Sequence, residues 1–257
     1  MAAVSRALSA KSISRKISSV PVESVTDLQT CSTEIITSLM GLSLIRRHCI
    51  ALGVLTGLAG TFPAWAASPP TPHSTILVVG DSLSAEYGLK RGTGWVALME
   101  QRLTKEKPGA KVVNASISGD TTSGGRSRLA ALLQTHKPTV VVIELGGNDA
   151  LRGLPLQMTQ DNLQAMAVAA QGAGAKVVMI GMQVPPNYGQ DYANRFAATF
   201  ATVAKANKTS LVPFMLKNVA DVPDAQRLFQ NDRLHPNESA HPIILNNVWP
   251  TIRKLIP

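Results

Sequence analysis

Four polar clusters in this sequence hold the residue types that acyl transfer needs. Asp81-Ser82 directly follows the apolar run Ile76–Val79 and Gly80. Asn114–Asp120 contains Gly119, Gly146-Gly147-Asn148-Asp149 closes a β-branched run, and Asp232 stands three residues before His235. A serine hydroxyl is a weak nucleophile until a positioned base takes its proton, and the base needs a group that orients it. Residues three apart on a helical or turn-like stretch share a face. Asp232 can therefore hold the imidazole Nδ1–H of His235 and leave Nε2 toward Ser82. Pro236 restricts the backbone of His235. Acyl transfer also requires donors aimed at the developing oxyanion. The backbone N–H groups of Ser82 and Gly119 and the side-chain amide of Asn148 are the candidates.

Each cluster also has an ordinary structural reading. Asp and Ser are preferred helix N-caps, so Asp81-Ser82 can open a helix. Gly119 and Gly146-Gly147 suit plain turns. Glu238 and His241 repeat the spacing of Asp232 and His235, but they fall inside the predicted last helix, where such a pair reads as a solvated surface interaction. What favours chemistry is that all four clusters fall at strand ends.

The elements that must position them alternate along the chain. Strands are predicted at Thr75–Gly80, Lys111–Ala115, Thr139–Leu145, Lys176–Met182 and Ser210–Pro213. Helices are predicted at Trp95–Lys107, Ser123–Gln134, Thr159–Gln171, Tyr192–Asn207 and Ser239–Leu255, the last with Pro242 in its first turn and a kink at Pro250. Strands alternating with helices argue for an α/β fold with a parallel sheet covered on both faces. Near-continuous apolar strands agree, since both faces of such strands are buried. In an open sheet of this kind, ligands bind at the carboxyl ends of the strands. One domain is expected over residues 67–257.

Upstream of it, residues 1–39 lack sustained apolar periodicity and read as a poorly ordered extension, with Met40 an alternative start. Arg46-Arg47-His48, an apolar stretch from Cys49 to Phe62 and Ala64-Trp65-Ala66 make residues 40–66 a secretory signal peptide cleaved after Ala66. The apolar stretch falls short of the roughly 20 residues that span a bilayer, so no stable membrane insertion is expected after cleavage. This predicts a periplasmic or secreted protein.

Composition removes several other classes. With 45% apolar and 16% charged residues, the 257-residue chain can build a sizeable core. Its formal charge of +9 is scattered singly, without the basic stripe of a nucleic-acid binder. Cys31 and Cys49 both lie upstream of Ala67, which leaves the domain no disulfide framework, thiol nucleophile or cysteine metal site. No G-x-G-x-x-G or G-x-x-x-x-G-K-[ST] follows a strand, against a nucleotide or flavin binder. No G-x-S-x-G elbow is present, against an α/β-hydrolase. No metal and no cofactor is expected.

Taken in order, Gly80-Asp81-Ser82-Leu83-Ser84, Gly119, Gly147-Asn148-Asp149 and Asp232-x-x-His235-Pro236 resemble the four blocks of the SGNH (GDSL) hydrolase family. Asn114–Thr121, Glu144–Asp149, Leu151-Arg152-Gly153 and Asn187-Tyr188-Gly189 are most similar to its bacterial periplasmic thioesterase I/lysophospholipase/arylesterase branch. The resemblance implies a flavodoxin-like three-layer α/β/α fold. It implies Ser82 as nucleophile, His235 as base, Asp232 as its partner, and Ser82, Gly119 and Asn148 as the oxyanion hole. It further implies that Leu151, Arg152, Gly153, Leu154 and Pro155 form a segment that moves on substrate binding, and that Asn187 and Tyr188 line the acyl groove. Substrates would be small acyl esters or thioesters: aryl esters, acyl-CoA-like thioesters or lysophospholipids. A carbohydrate O-deacetylase is the alternative, ranked second because a chain with 4% aromatic residues offers little sugar-stacking surface. A non-catalytic ligand-binding protein ranks below it. The sequence departs from the family pattern at Arg233, where relatives often have glycine, which puts a positive charge beside the site and leaves head-group preference open.

Overall fold

The computed structural model describes residues 74–257. The expected extension over 1–39 and the signal peptide over 40–66 lie outside the described residues. Aliphatic and β-branched runs form the strands Thr75–Gly80 (β1), Lys111–Asn114 (β2), Val140–Glu144 (β3), Lys176–Ile180 (β4) and Ser210–Val212 (β5). They pair in parallel in the order β2-β1-β3-β4-β5. Every residue of β1 and β3 is buried, as expected of central strands covered on both faces. The edge strands β2 and β5 are only partly buried, so the fully apolar pattern does not extend to them.

The helices are Trp95–Glu106 (α1), Thr122–His136 (α2), Gly147–Leu151 (α3), Leu156–Gly172 (α4), Gln190–Ala206 (α5) and His241–Arg253 (α6). α1 packs on α6, while α2 packs on α4 and α4 on α5, giving the two helical layers of an α/β/α sandwich. Proline accounts for two boundaries. Pro155 occupies the N-cap of α4, which begins three residues before the predicted start, and Pro242 sits in the first turn of α6. Pro250 lies inside α6, which continues past it to Arg253. The short α3 was not foreseen, and neither were single 3-10 turns at Pro186–Tyr188 and Ala225–Leu228.

The helix that Asp81-Ser82 could open as a cap is absent. Residues 82–88 form a succession of turns, and the following helix begins at Trp95. Asp81 still caps: its Oδ1 accepts from Leu83 N at 3.0 Å, and its carbonyl accepts from Ser84 N and Ala85 N. The cap closes a tight turn rather than a helix.

This topology fixes where chemistry can occur. After β1 the chain moves outward to β2, then crosses back over β1 to β3 on the other side. The carboxyl ends of β1 and β3 therefore flank a topological switch point, where a crevice opens. Ser82 follows β1 and Asn148 follows β3. The rigidity of that edge depends on the apolar interior behind it, where Ile143 of β3 is fully buried. Ile143→Ala is expected to destabilise the protein by roughly 2–5 kcal/mol, read as a lower midpoint in urea unfolding.

Candidate active site

The turn after β1 needs a glycine at Gly80. A Cβ there would lie 2.7 Å from Glu144 Oε2, 2.8 Å from Ser84 Oγ and 2.9 Å from Ser116 Oγ. Without it, the β1 end can approach β3 closely enough for Asp81 N to donate to Glu144 Oε2 at 3.2 Å. Ser84 Oγ donates to the same oxygen at 2.7 Å and accepts from Trp95 Nε1 at 3.2 Å. The turn carrying Ser82 is thus anchored to a central strand and to the first helix.

His235 arrives from a loop that folds back on itself. Phe229 pairs with Pro236, Gln230 N donates to the His235 carbonyl at 2.8 Å, and Arg233 N donates to the Gln230 carbonyl at 2.9 Å. Gln230 Nε2 reaches out of the loop to the Tyr87 carbonyl at 2.9 Å, tying it to the serine turn. Within the loop, Asp232 Oδ1 accepts from Leu234 N and His235 N, and Asp232 Oδ2 lies 2.7 Å from His235 Nδ1. His235 Nε2 lies 3.0 Å from Ser82 Oγ. The Tyr87 ring covers the imidazole at a centroid distance of 4.4 Å. The backbone and ring N–H groups of His235, with Leu234 N, hold the Asp232 carboxyl down to about 2. It is therefore ionised throughout the neutral range and keeps a proton on Nδ1, leaving the Nε2 lone pair for the serine.

The rival pair has another role. His241 is buried and its Nδ1 accepts from Trp95 N at 3.0 Å, satisfying the first amide of α1. Burial holds its imidazole below the ordinary value. Glu238 accepts from Lys90 N at 3.1 Å. The expected solvated surface interaction is not found, because α6 turns His241 inward onto α1.

Gly119 has a φ of +79°, and neither its N–H nor that of Ser82 has a partner among the described residues. Asn148, in the first turn of α3, donates its amide to Asp81 Oδ2 at 3.0 Å and to the Asp120 carbonyl at 2.9 Å. Arg152, one helical turn further on, donates to the Gly119 carbonyl at 2.7 Å. Asn148 of this short helix and Arg152 at its C-cap thus grip consecutive carbonyls of the Gly119 loop. Arg128 of α2 holds that loop from behind. It pairs with Asp120 at 2.8 Å and donates to the carbonyls of Ala115 and Gly80. Asp149, fully buried, accepts from Thr122 N at 2.9 Å and so caps α2; it takes no part in the reactive cluster.

The segment 151–155 lies partly beside this cluster and partly away from it. Arg152 adjoins the Gly119 loop, and Leu151, the last residue of α3, is exposed. Gly153, Leu154 and Pro155 wall a cavity of about 620 Å³ with Gln157 and Gln160 of α4 and Tyr192 of α5. Tyr188 stacks on Tyr192 at 6.0 Å, and Asn187 is exposed. Among the described residues, no hydrogen bond or ring contact joins Asn187 or Tyr188 to Ser82 or His235. Sequence reasoning missed Tyr87, Arg128, Glu144 and Gln230. Only Glu144 carried a signal, as a lone acid closing an otherwise apolar buried strand.

Two buried carboxyls lie under the serine turn. Burial pushes Asp81 up to about 6, and it lifts Glu144 well above the ordinary range, reinforced by the charge of Asp81. An acid whose folded value exceeds its unfolded one binds more protons when folded, so its contribution weakens as pH rises from the unfolded value through the folded one. Stability is therefore expected to fall from about pH 4 to about pH 6 through Asp81, with Glu144 adding to the loss in the same direction. Glu144→Gln, which keeps an acceptor for Asp81 N and Ser84 Oγ, is expected to flatten that slope in denaturant unfolding at the two pH values.

Comparison with known proteins places these residues in a wider group. Residues 78–243 match the model of the GDSL-like Lipase/Acylhydrolase family. The chain is 47% identical over 214 residues to Esterase TesA of Pseudomonas aeruginosa, covering 83% of this chain and 99% of the relative. It is 37% identical over 196 residues to Thioesterase 1/protease 1/lysophospholipase L1 of Escherichia coli strain K12, covering 76% of this chain and 88% of that protein. A crystal structure of TesA superposes with a TM-score of 0.68 at 51% identity, covering 71% of this chain and 99% of that one.

Proposed function

The chain belongs to the GDSL-like lipase/acylhydrolase family, and from that premise we propose that it hydrolyses acyl esters and thioesters through an acyl-Ser82 intermediate. The observation that carries this reading is the chain of contacts from Asp232 through His235 to Ser82, at 2.7 and 3.0 Å. Ser82 Oγ attacks the acyl carbon while its proton passes to His235 Nε2. Negative charge develops on the carbonyl oxygen, facing the Ser82 and Gly119 N–H groups and the Asn148 amide. As the tetrahedral species collapses, the leaving oxygen or sulfur departs with the proton from His235. A water molecule then gives its proton to His235 and attacks the acyl-serine, and the carboxylic acid and Ser82 hydroxyl are regenerated. Asp232 stays ionised and stabilises the imidazolium at each stage.

The names of the relatives, an esterase and a thioesterase/lysophospholipase, support acyl esters and thioesters as the substrate class. The basic, apolar and small-residue order of residues 40–66 supports export, with the working domain beginning after Ala66.

Ser82→Ala is expected to abolish p-nitrophenyl butyrate hydrolysis while the thermal unfolding profile persists; undiminished turnover sinks the proposal. A fluorophosphonate probe is expected to label Ser82 in the parent protein and to fail in His235→Ala. Asn148→Ala is expected to lower kcat by about 10²–10³-fold, the range for loss of one oxyanion donor, with KM much less affected.

A further inference from the structure

Arg233 stands in the loop that carries Asp232 and His235, and neither the fold nor the proposed reaction uses its charged side chain. Its backbone is left-handed, with a φ of +56°, a conformation sparsely populated by residues with a Cβ. The other described non-glycine residues with positive φ have evident reasons. Lys137 and Lys208 follow the ends of α2 and α5, and Asn218 is of a type that tolerates this region. Glu86 turns its carboxylate onto the N–H groups of Gly92 and Gly94. Arg233 is exposed, and its guanidinium has no hydrogen bond or ion pair among the described residues. Asp232 beside it is already committed, one oxygen to two backbone amides and the other to His235. A strained backbone that displays an uncommitted cation points to a functional constraint.

Its location says what the cation faces. His235 Nε2 returns the proton to the leaving group, so the leaving group departs on the side of the loop that carries His235. Arg233 lies two residues before that imidazole on the same loop. At the Gly119 loop the guanidiniums are committed: Arg152 is bonded to the Gly119 carbonyl, and Arg128 to Asp120 and the Ala115 carbonyl. The loop that carries His235 thus also carries an uncommitted cation, whereas those at the Gly119 loop are committed.

We propose that Arg233 selects esters whose leaving group carries an anion a few atoms beyond the scissile oxygen, as the phosphodiester of a lysophospholipid does. This inference rests on the proposed function. A guanidinium matches phosphate and carboxylate oxygens in a bidentate fork. Anchored so near His235, it reaches only the first atoms of the leaving group. A coenzyme A thioester, whose phosphates lie far down the pantetheine arm, gains nothing from it.

The test compares kcat/KM for 4-butyryloxybenzoate with that for its methyl ester, which differs in charge at the far end of the leaving group. The anionic-to-neutral ratio is expected to fall about fivefold, the scale of one exposed ion pair, in both Arg233→Gln and Arg233→Gly. Arg233→Lys is expected to keep most of it, and added salt to shrink it in the parent protein. Arg233→Gly relieves the left-handed strain, so loss of fold cannot explain its result. An unchanged ratio in the Gln and Gly variants overturns the proposal, as does an equal loss on both esters. If the parent protein hydrolyses neither ester, or Ser82→Ala still hydrolyses both, the reaction itself fails and takes this inference with it.

Discussion

The Arg128 guanidinium binds together the parts of the site that come from different strands. It reaches from α2 to the Gly80 carbonyl at the end of β1, to the Ala115 carbonyl beyond β2, and to the Asp120 carboxylate in the Gly119 loop. Loops at strand ends have few apolar contacts to hold them, so their geometry depends on polar fastenings. Here the fastening is largely shielded, with side-chain exposures of 20% for Arg128 and 12% for Asp120. Losing one member of such a pair leaves the other charge poorly solvated. The strain falls on the loop that supplies the Gly119 N–H and the Asp120 carbonyl held by Asn148.

A second constraint works beneath the serine. Glu144 and Asp81 are both 2% exposed, and neither has a cationic hydrogen-bond partner. Two carboxyls so placed are a burden on the folded state at neutral pH. They are also the acceptors that fix the turn: Glu144 takes Asp81 N and Ser84 Oγ, and Asp81 takes Leu83 N and Asn148 Nδ2. Apolar replacements would leave those donors unpaired in the interior. The turn gains definition where the domain as a whole loses stability.

Much of this was legible in the sequence, because the informative residues are the ones whose types cannot be exchanged. The apolar run of β3 announced a central strand, and the three-residue spacing of Asp232 and His235 announced a dyad. What was not legible is cooperation between distant segments. Arg128 looks like any polar residue on an amphipathic helix until α2 packs and its guanidinium passes behind a loop. Gln230 joins two turns by one amide, with no local pattern to mark it. α3 is only five residues long, below the length at which periodicity gives a signal. The Asp81-Ser82 pair meets its ordinary reading only in part: the capping hydrogen bond is present, but the chain behind it runs into Gly88 and Gly92, both at positive φ, instead of a helix.

Asn148 carries a consequence for selectivity along the reaction coordinate. Its two amide hydrogens are already matched, one by a carboxylate and one by a carbonyl. A neutral ester oxygen is a weaker acceptor than the Asp81 carboxylate and has little to offer in exchange. An oxygen bearing nearly a full negative charge competes on equal terms. In the proposed reaction the amide therefore acts as a threshold donor, withheld from the ground state and released as charge accumulates. Uniform binding of substrate and transition state does not raise kcat, whereas an interaction gained only at the top of the barrier does. A side chain that looks fully occupied at rest is, on this account, tuned to discriminate by charge rather than by shape.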